Sequence, residues 1–376
     1  MRIALPGGEH VLREPVTWAR PEGPARSRTV YAAAHVVADP LGDNTPGSRA
    51  AVDWEATLRF RHHLWSHGLR VADAMDTAQR NMGLDWAATR ELIRRSATEA
   101  KAFGDPATLV ACGAGTDQAP DARTLREVVA AYGEQIETVR DAGAGVIVMA
   151  SRQLAAIARG PEDYHRVYGE LLSQTDRPVI LHWLGEMFDP LLAGYWGSRD
   201  VAEATASFLS LIHDHAARVD GVKVSLLDAE HEIGLREALP EGVRLYTGDD
   251  FNYPSLIRSG SHALLGIFDA IAPAAASALQ ALDAGDLGRY DAIMDPTVPL
   301  SRKIFEAPTY NYKTGIVFLA WLNGHQDAFS MVNGAQAARS LPHLAEVFRL
   351  ADRAGLLADP ELAVFRMRSL LAVNGL

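Results

Sequence analysis

A single lysine inside an apolar segment is the residue whose type and position most directly indicate chemistry. Lys223 lies in segment 220–227, which has the length of a strand and the sequence DGVKVSLL. Burial of an ammonium charge is costly, so a lysine in such a segment tends to lose its proton. A neutral amine attacks carbonyl carbon. The segment therefore indicates amine chemistry on a carbonyl compound, or a structural lysine paired with a carboxylate.

Eight short apolar segments, which alternate with amphipathic ones, are the elements that would position this lysine. Their near-continuous hydrophobicity is typical of parallel strands covered by helices. Strands and helices in alternation favour a (β/α)8 TIM barrel, an α/β fold. An open doubly wound sheet would usually show a glycine-rich turn after its first strand, and none is found here. The predicted strands are Val30–Val37, Leu69–Met75, Thr108–Gly113, Gly145–Ala150, Pro178–Leu184, Val222–Leu227, Val243–Thr247 and Ala263–Phe268.

The rest of the chain flanks this barrel. Residues 1–28 are rich in proline, glycine and arginine and are expected to form an N-terminal arm. Residues 29–273 form the predicted barrel. Residues 274–376 show helical periodicity without strand patterns, which predicts a C-terminal helical extension beside the barrel.

Polar residues at the carboxyl ends of the predicted strands are the candidates for binding and catalysis, since barrels carry their chemistry there. Imidazole titrates near neutral pH, so His182 is the acid/base candidate, or else a hydrogen-bonded core histidine. Arg152 could bind a carboxylate through two hydrogen bonds, and Thr77 is a second substrate-contact candidate. Asp249 and Asp250 would position substrate or neighbouring groups, or cap a loop.

The order of these motifs resembles the dihydrodipicolinate synthase and N-acetylneuraminate lyase superfamily. The motifs that show this resemblance are segment 220–223 (DGVK), segment 245–250 (LYTGDD) and segment 266–268 with Pro273. Segments 52–54, 141–146 and 177–181 support it. The resemblance covers roughly residues 30–275. It implies a class I aldolase-type barrel with a helical extension, in which Lys223 forms a Schiff base with a 2-keto acid and no cofactor is needed. It also implies a homodimer or homotetramer.

The sequence departs from the superfamily pattern at three places. His182 stands where the superfamily usually has a tyrosine proton relay in strand five. The Ser/Thr-Thr element with Gly-Glu after strand two is reduced to segment 76–79 (DTAQ). The arginine that often follows the strand-five tyrosine is absent, because segment 186–188 reads EMF. These departures predict an outlying, dihydrodipicolinate synthase-like branch whose reaction class is better indicated than its substrate.

The resulting hypothesis is a lyase or aldolase, cleaving a carbon–carbon or carbon–oxygen bond, that acts on a 2-keto acid or keto-sugar derivative through Lys223. A second hypothesis is a carbohydrate isomerase or epimerase that uses a divalent metal. Its ligands would be His35, His182, Glu186 and Asp249, with Asp73 and Asp250 as further carboxylates. A third is a barrel that binds small molecules without catalysis.

Composition limits the partners. The formal net charge is −11 with no basic tract, which argues against nucleic acid and anionic membranes and leaves a small molecule as the expected partner. Cys112 is the only cysteine, which excludes an internal disulfide and a cysteine-based zinc site. No signal-peptide core is recognised at the N-terminus, so a cytoplasmic location is expected.

Overall fold

A closed barrel of eight parallel strands forms the centre of the computed structural model, which describes residues 1–376. Each strand pairs with its neighbour in sequence, and the last strand pairs with the first. The predicted (β/α)8 barrel is therefore confirmed. The barrel strands are β3 (Val30–Ala33), β4 (Arg70–Asp73), β5 (Val110–Ala114), β6 (Gly145–Val148), β7 (Val179–Leu184), β8 (Val219–Ser225), β9 (Arg244–Thr247) and β10 (His262–Leu265).

Helices cover the outside of the barrel and continue beyond it. Asp53 and Asp85 cap the first two helices, because their side chains accept hydrogen bonds from the backbone of Ala56 and Ala88. The helices around the barrel are α1 (Trp54–Ser66), α2 (Trp86–Ala100), α3 (Pro106–Leu109), α4 (Leu125–Ala142), α5 (Arg152–Ile157), α6 (Pro161–Gln174), α7 (Val201–Asp214), α8 (Ala229–Ala238), α9 (Tyr253–Ser259) and α10 (Ile267–Ala270). The later helices are α11 (Ala272–Asp283), α12 (Leu287–Met294), α13 (Val298–Ile304), α14 (Tyr312–Leu322), α15 (Leu341–Arg353) and α16 (Pro360–Val373).

Side chains that alternate along the strands fill the barrel. A separate cluster of ten buried apolar residues includes Tyr31 of β3, Ile180 of β7, Tyr246 of β9 and Leu264 of β10. Because successive strand residues point to opposite faces, residues two positions further along each strand share this inward face. The inward positions at the carboxyl ends of the strands therefore lead to the barrel mouth.

Every predicted strand differs from the observed one by at least one residue at an end, and three differ by three residues or more. The predicted strand Val30–Val37 ends as a strand at Ala33. The predicted strand Ala263–Phe268 ends as a strand at Leu265, and the chain turns into α10. The predicted strand Val222–Leu227 corresponds to Val219–Ser225, so it begins three residues earlier than the apolar pattern indicated. Apolar runs cannot mark these ends because the barrel and its covering helices bury both kinds of element.

The N-terminal residues hold a two-stranded antiparallel hairpin, with β1 (Arg2–Leu5) paired to β2 (Gly8–Val11). The hairpin is attached to α15 through His10, whose ring nitrogen lies 2.9 Å from the Asp352 carboxylate. Sequence analysis did not predict these strands, since four-residue strands of mixed polarity carry little periodicity. No helix in the structure is long and apolar enough to cross a membrane.

Candidate active site

Lys223 and His182 lie side by side at the mouth of the barrel. They are direct partners in the pairing of β7 with β8, and each lies two positions beyond an inward residue pair, Ile180 and Gly221. Both side chains are buried. The lysine and the histidine that were selected from the sequence are therefore brought together on adjacent strands.

No hydrogen bond of the Lys223 amine is found, although the residue is only 4% exposed. Burial lowers the pKa of this amine, and the nearby carboxylates of Asp76 and Asp250 oppose that effect without cancelling it. Neither carboxylate is close enough to form an ion pair with it. Lys223 is thus a desolvated amine without a fixed partner, which is the condition that makes an amine nucleophilic.

His182 is a neutral imidazole in this setting. Burial and the neighbouring Lys223 charge lower its pKa well below the usual value, while Asp76 acts in the opposite direction. Its Nε2 lies 3.4 Å from the hydroxyl oxygen of Ser225, and its Nδ1 has no partner. A neutral imidazole with a free ring nitrogen can accept a proton beside the amine.

A carboxylate after the second barrel strand faces the same lysine. Asp76 belongs to the 3-10 turn Asp76–Ala78, and one of its oxygens accepts a hydrogen bond of 2.8 Å from the Tyr312 hydroxyl. Burial disfavours its ionised form, but the charges of Lys223 and Lys313 outweigh burial and lower its pKa to about 2. Its other oxygen has no partner. Asp76 is therefore an ionised group that can balance positive charge at the mouth.

Thr77 lies next to Asp76 and is also bound to the C-terminal region. Its hydroxyl oxygen is 2.7 Å from the Tyr312 hydroxyl. Thr77 is thus at the mouth, as a substrate contact requires, but its side chain already contacts a residue of α14. Burial raises the pKa of Tyr312 well above its usual value, so this phenol stays protonated.

The three residues of the Gly-Asp-Asp segment after β9 (248–250) make different contacts at the site. A Cβ on Gly248 would lie 3.0 Å from Cε of Lys223 and 2.7 Å from the backbone oxygen of Val224, so only glycine leaves room for the lysine. Asp250 faces Lys223, and one of its oxygens accepts a hydrogen bond of 2.8 Å from the backbone of Ile267. Burial raises the pKa of Asp250 to about 8, which makes it a proton donor near neutral pH.

Asp249 is not brought to the mouth. One carboxylate oxygen accepts hydrogen bonds from the backbone of Phe251 and Asn252, and the other accepts one of 2.8 Å from the Asn252 side chain. These bonds close the loop before α9, which is the capping role that sequence analysis left open. Its part in the site is to hold the loop from which Asp250 projects.

Arg152 lies at the rim of the mouth, at the start of α5. Its Nε donates a hydrogen bond of 2.6 Å to the Asp189 carboxylate, and about a third of its side chain is exposed (32%). The guanidinium is therefore already paired. Both Arg152 and Asp189 influence the pKa of Lys313, which places this ion pair near the second buried lysine.

The residues of the metal hypothesis do not converge. His35 contacts Asp269 through Nδ1 at 2.8 Å, and Glu186 is exposed. The Asp73 carboxylate accepts hydrogen bonds from Nε and Nη2 of Arg61. Asp249 is used to close its loop. No group of three or more histidine, cysteine, aspartate or glutamate side chains in the structure has a geometry that could hold a metal ion. The geometry gives this hypothesis no ligand set.

Three aromatic rings cover the mouth. Phe305 and Tyr312 stack with ring centroids 4.3 Å apart, and Phe188 meets both rings edge-on. A Cβ on Gly266, at the end of β10, would lie 3.0 Å from Phe305 and 3.2 Å from Tyr312. Phe305 and Tyr312 of the C-terminal region therefore pack directly against the carboxyl end of β10.

Tyr312 and Lys313 were not selected from the sequence as site residues. Segment 310–313 (YNYK) opens a C-terminal helix that could either reach over the barrel mouth or pack against it, and packing was the favoured interpretation. A signal was present in the sequence. Lys313 is the only charged residue in α14, an otherwise apolar helix, and it is buried like Lys223. The chain has only four lysines, Lys101, Lys223, Lys303 and Lys313, so half of them lie at one barrel mouth.

Solved structures share the fold. YagE, a prophage protein belonging to the dihydrodipicolinic acid synthase family from E. coli K12 and solved in complex with pyruvate, matches with a TM-score of 0.67 and 14% identity, over 88% of this chain and 99% of that chain. Dihydrodipicolinate synthase from Aquifex aeolicus matches with a TM-score of 0.66 and 13% identity over 88% and 99% of the two chains. The 4-hydroxy-tetrahydrodipicolinate synthase from Methylacidiphilum fumariolicum SolV gives 0.66 and 14%, over 92% and 99%.

These matches confirm the structural resemblance that the sequence motifs indicated. At such low identity they establish the fold and leave the activity open. No curated protein matches the chain in sequence. The family described as "Protein of unknown function (DUF993)" matches residues 7–376, and the chain therefore belongs to that family.

Proposed function

We propose that the protein is a Schiff-base-forming lyase or aldolase that acts on a 2-keto acid or keto-sugar derivative through Lys223. The observation that carries this proposal is the Lys223 amine, which is buried, without a hydrogen bond, and adjacent to His182 at the carboxyl end of β8. The superfamily fold raises the expectation of this chemistry but does not establish it.

In the proposed reaction the neutral Lys223 amine attacks the substrate carbonyl carbon to form a carbinolamine. Loss of water then forms a protonated imine, with the carbonyl oxygen leaving as water. Asp250, whose pKa is about 8, is suited to donate the proton that this oxygen requires. The ionised Asp76 balances the positive imine, since its pKa is about 2.

The imine then draws electrons from the adjacent carbon. For carbon–carbon cleavage, a base removes the proton of a hydroxyl on the β carbon, the bond between the α and β carbons breaks, an aldehyde leaves, and the enamine that remains is protonated at its α carbon. For carbon–oxygen cleavage, a base removes a proton from the α carbon, and the β-hydroxyl then takes up a proton and leaves as water, which gives an unsaturated imine. His182 is suited to this step because it is neutral and its Nδ1 has no partner. Hydrolysis of the imine returns the free amine and the product.

Reduction with borohydride tests the proposal, because it converts an imine into a stable secondary amine. The intact protein is incubated with a panel of 2-keto acids and ketoses, reduced, digested and analysed by mass spectrometry. We expect the added mass on Lys223 and not on Lys303, which pairs with Glu306 outside the site. A Lys223→Met variant should lose the adduct and a Lys303→Met variant should retain it. Absence of any adduct on Lys223 across the panel would refute the proposal.

A further inference from the structure

We propose that Lys313, which is supplied by a helix outside the barrel, recognises a carboxylate on the substrate and thereby selects a 2-oxo acid over a neutral or phosphorylated ketose. This inference rests on the proposed function of Lys223. It assigns to the C-terminal region a part of the substrate site that the barrel strands do not provide.

Lys313 keeps unused hydrogen-bond donors in a buried position. Its side chain is 3% exposed, and its Nζ donates a hydrogen bond of 3.0 Å to the backbone oxygen of Tyr310. The same Nζ lies 4.4 Å from the centre of the Tyr312 ring. An ammonium group has three N–H donors, so two remain without an acceptor. A buried cation with free donors is costly unless an anion completes its surroundings.

Other buried cations in this chain have carboxylate partners. Arg61 forms two hydrogen bonds with Asp73, and Arg80 pairs with Asp117. Lys313 and Lys223 are the exceptions, since no carboxylate forms an ion pair with either of them. The two unpaired lysines share the mouth, where each acts on the ionisation of Asp76. The chain therefore pairs its two buried arginines with carboxylates and leaves the two buried lysines at the mouth without an ion pair.

The charges at the mouth favour one additional negative charge. Asp76 is ionised, whereas Asp250 holds its proton near neutral pH and His182 is neutral. Burial lowers the pKa of Lys313 to about 8, so most of its amine is charged at pH 7. When Lys223 is a protonated imine, two positive charges face one carboxylate.

A carboxylate on the substrate supplies the missing charge. A phosphate monoester carries about −1.5 to −2 at pH 7 and would exceed the charge required. Arg152, the guanidinium that influences the pKa of Lys313, already pairs with Asp189. The two free donors of the Lys313 ammonium are available to a carboxylate, and a carboxylate next to the reacting carbonyl defines a 2-oxo acid.

Three probes of similar carbonyl chemistry test this assignment: pyruvate, its neutral amide pyruvamide, and dihydroxyacetone phosphate. Borohydride trapping on Lys223 is measured against probe concentration in the unmodified protein, Lys313→Met and Lys313→Arg. We expect half-maximal trapping of pyruvate at about tenfold lower concentration than pyruvamide, the size of one charge-assisted hydrogen-bonded contact. Lys313→Met should remove this preference, read as the ratio of the half-maximal concentrations of pyruvate and pyruvamide within each protein, and Lys313→Arg should restore part of it.

The pH dependence separates recognition from a structural role. The preference of the unmodified protein for pyruvate should decline as the pH rises through about 8, where Lys313 loses its proton. A preference that persists in Lys313→Met, or stronger trapping of the phosphate probe than of pyruvate, would overturn the assignment.

Thermal denaturation in the presence of pyruvate distinguishes failure of this inference from failure of the proposed function. If no probe labels Lys223 but pyruvate still stabilises the unmodified protein and not Lys313→Met, the carboxylate site stands and the Schiff-base proposal fails. If pyruvate neither labels nor stabilises the protein, both proposals fail.

Discussion

Tyr312 donates a hydrogen bond of 2.8 Å to Asp76, a residue 236 positions earlier in the chain. The donor lies on α14 and the acceptor on the turn after the second barrel strand, so this contact joins the C-terminal region to the barrel mouth. Through it, a helix that contributes nothing to the barrel sheet helps to set the ionisation of a group beside Lys223.

Replacement of Tyr312 by phenylalanine tests this connection. The variant leaves Asp76 and Thr77 without their shared partner, and we expect a loss of about 1–3 kcal/mol in the free energy of unfolding, the usual cost of an unpaired buried polar group. Urea denaturation measures the loss. Tyr310→Phe is the matched control, because no hydrogen bond of its hydroxyl is found. Equal stability of the two variants would contradict the connection.

Replacement of Gly248 by alanine should disturb Lys223 directly. The added Cβ would meet the Lys223 side chain and the Val224 backbone at 3.0 and 2.7 Å, so a shift of the strand end is required. We expect about 1–3 kcal/mol of destabilisation, as for other overpacked cores, together with weaker borohydride trapping. Gly234→Ala in α8 is the control, since its Cβ would meet nothing within 4 Å and alanine favours helix. Unchanged trapping by Gly248→Ala would argue that Lys223 is less constrained than the structure indicates.

A histidine cluster outside the mouth predicts loss of stability in acid. His63 and His325 have ring centroids 4.3 Å apart, and burial lowers their pKa values to about 2 and about 4. The unfolded chain protonates these rings below pH 6.5 while the folded chain does not. Stability is therefore complete above about pH 6.5 and falls as the pH decreases, by roughly 1–2 kcal/mol per ring at pH 5.

Denaturation of the unmodified protein, His63→Gln and His213→Gln at pH 7.5 and pH 5 measures this effect. His63→Gln should show a smaller loss of stability between the two pH values. His213 is exposed at the end of α7, so its replacement should leave the loss unchanged. Identical pH dependence in all three proteins would exclude the cluster as the cause.

The buried carboxyl of Glu232 predicts that the free energy of unfolding decreases as the pH rises. Its buried carboxyl accepts hydrogen bonds from Thr247 and Ser261 at 2.8 and 2.9 Å, and burial raises its pKa to about 8. The unfolded chain releases this proton near pH 4.5, so Glu232 lowers stability progressively as the pH rises from 4.5 to about 8. Glu232→Gln should be about 4 kcal/mol more stable than the unmodified protein at pH 8 and similar to it near pH 4.5.

Denaturation at these two pH values measures the difference, with Glu237→Gln, an exposed position on the same helix, as the control. If the Glu232→Gln variant is less stable than the unmodified protein at pH 8, the Glu232 carboxyl is ionised in the folded chain and the prediction is wrong.

Much of the barrel was predictable from sequence because its strands are short apolar segments separated by amphipathic helices. That pattern is local, and a parallel sheet buried on both faces imposes it on every strand. The boundaries at β8 and β10 were not predictable, since strand and helix there bury similar residues. The hairpin of β1 and β2 was missed because its stability comes from contacts with α15, far away in the chain.

The candidate site, like the fold, has residues that the sequence indicated and residues that only the structure identified. Lys223 and His182 were selected as candidates from the sequence. Lys223 was selected because a lysine in an apolar run is locally unusual, and His182 because it stands where the resembling superfamily has a strand-five tyrosine. The barrel fold places both residues on adjacent strands. Asp249 and Asp250 could not be told apart, since adjacent carboxylates differ only in the direction the folded loop gives them. Tyr312 and Lys313 lie outside the barrel sequence pattern altogether.

The sequence by itself determined that the chain forms a barrel and that Lys223 occupies its sixth strand, because periodicity and burial preferences act over a few residues. Only the tertiary structure decided which groups surround that amine. Its ionisation depends on charges from turns and helices up to 236 positions apart, and electrostatic effects in a desolvated site follow distance in space rather than separation along the chain.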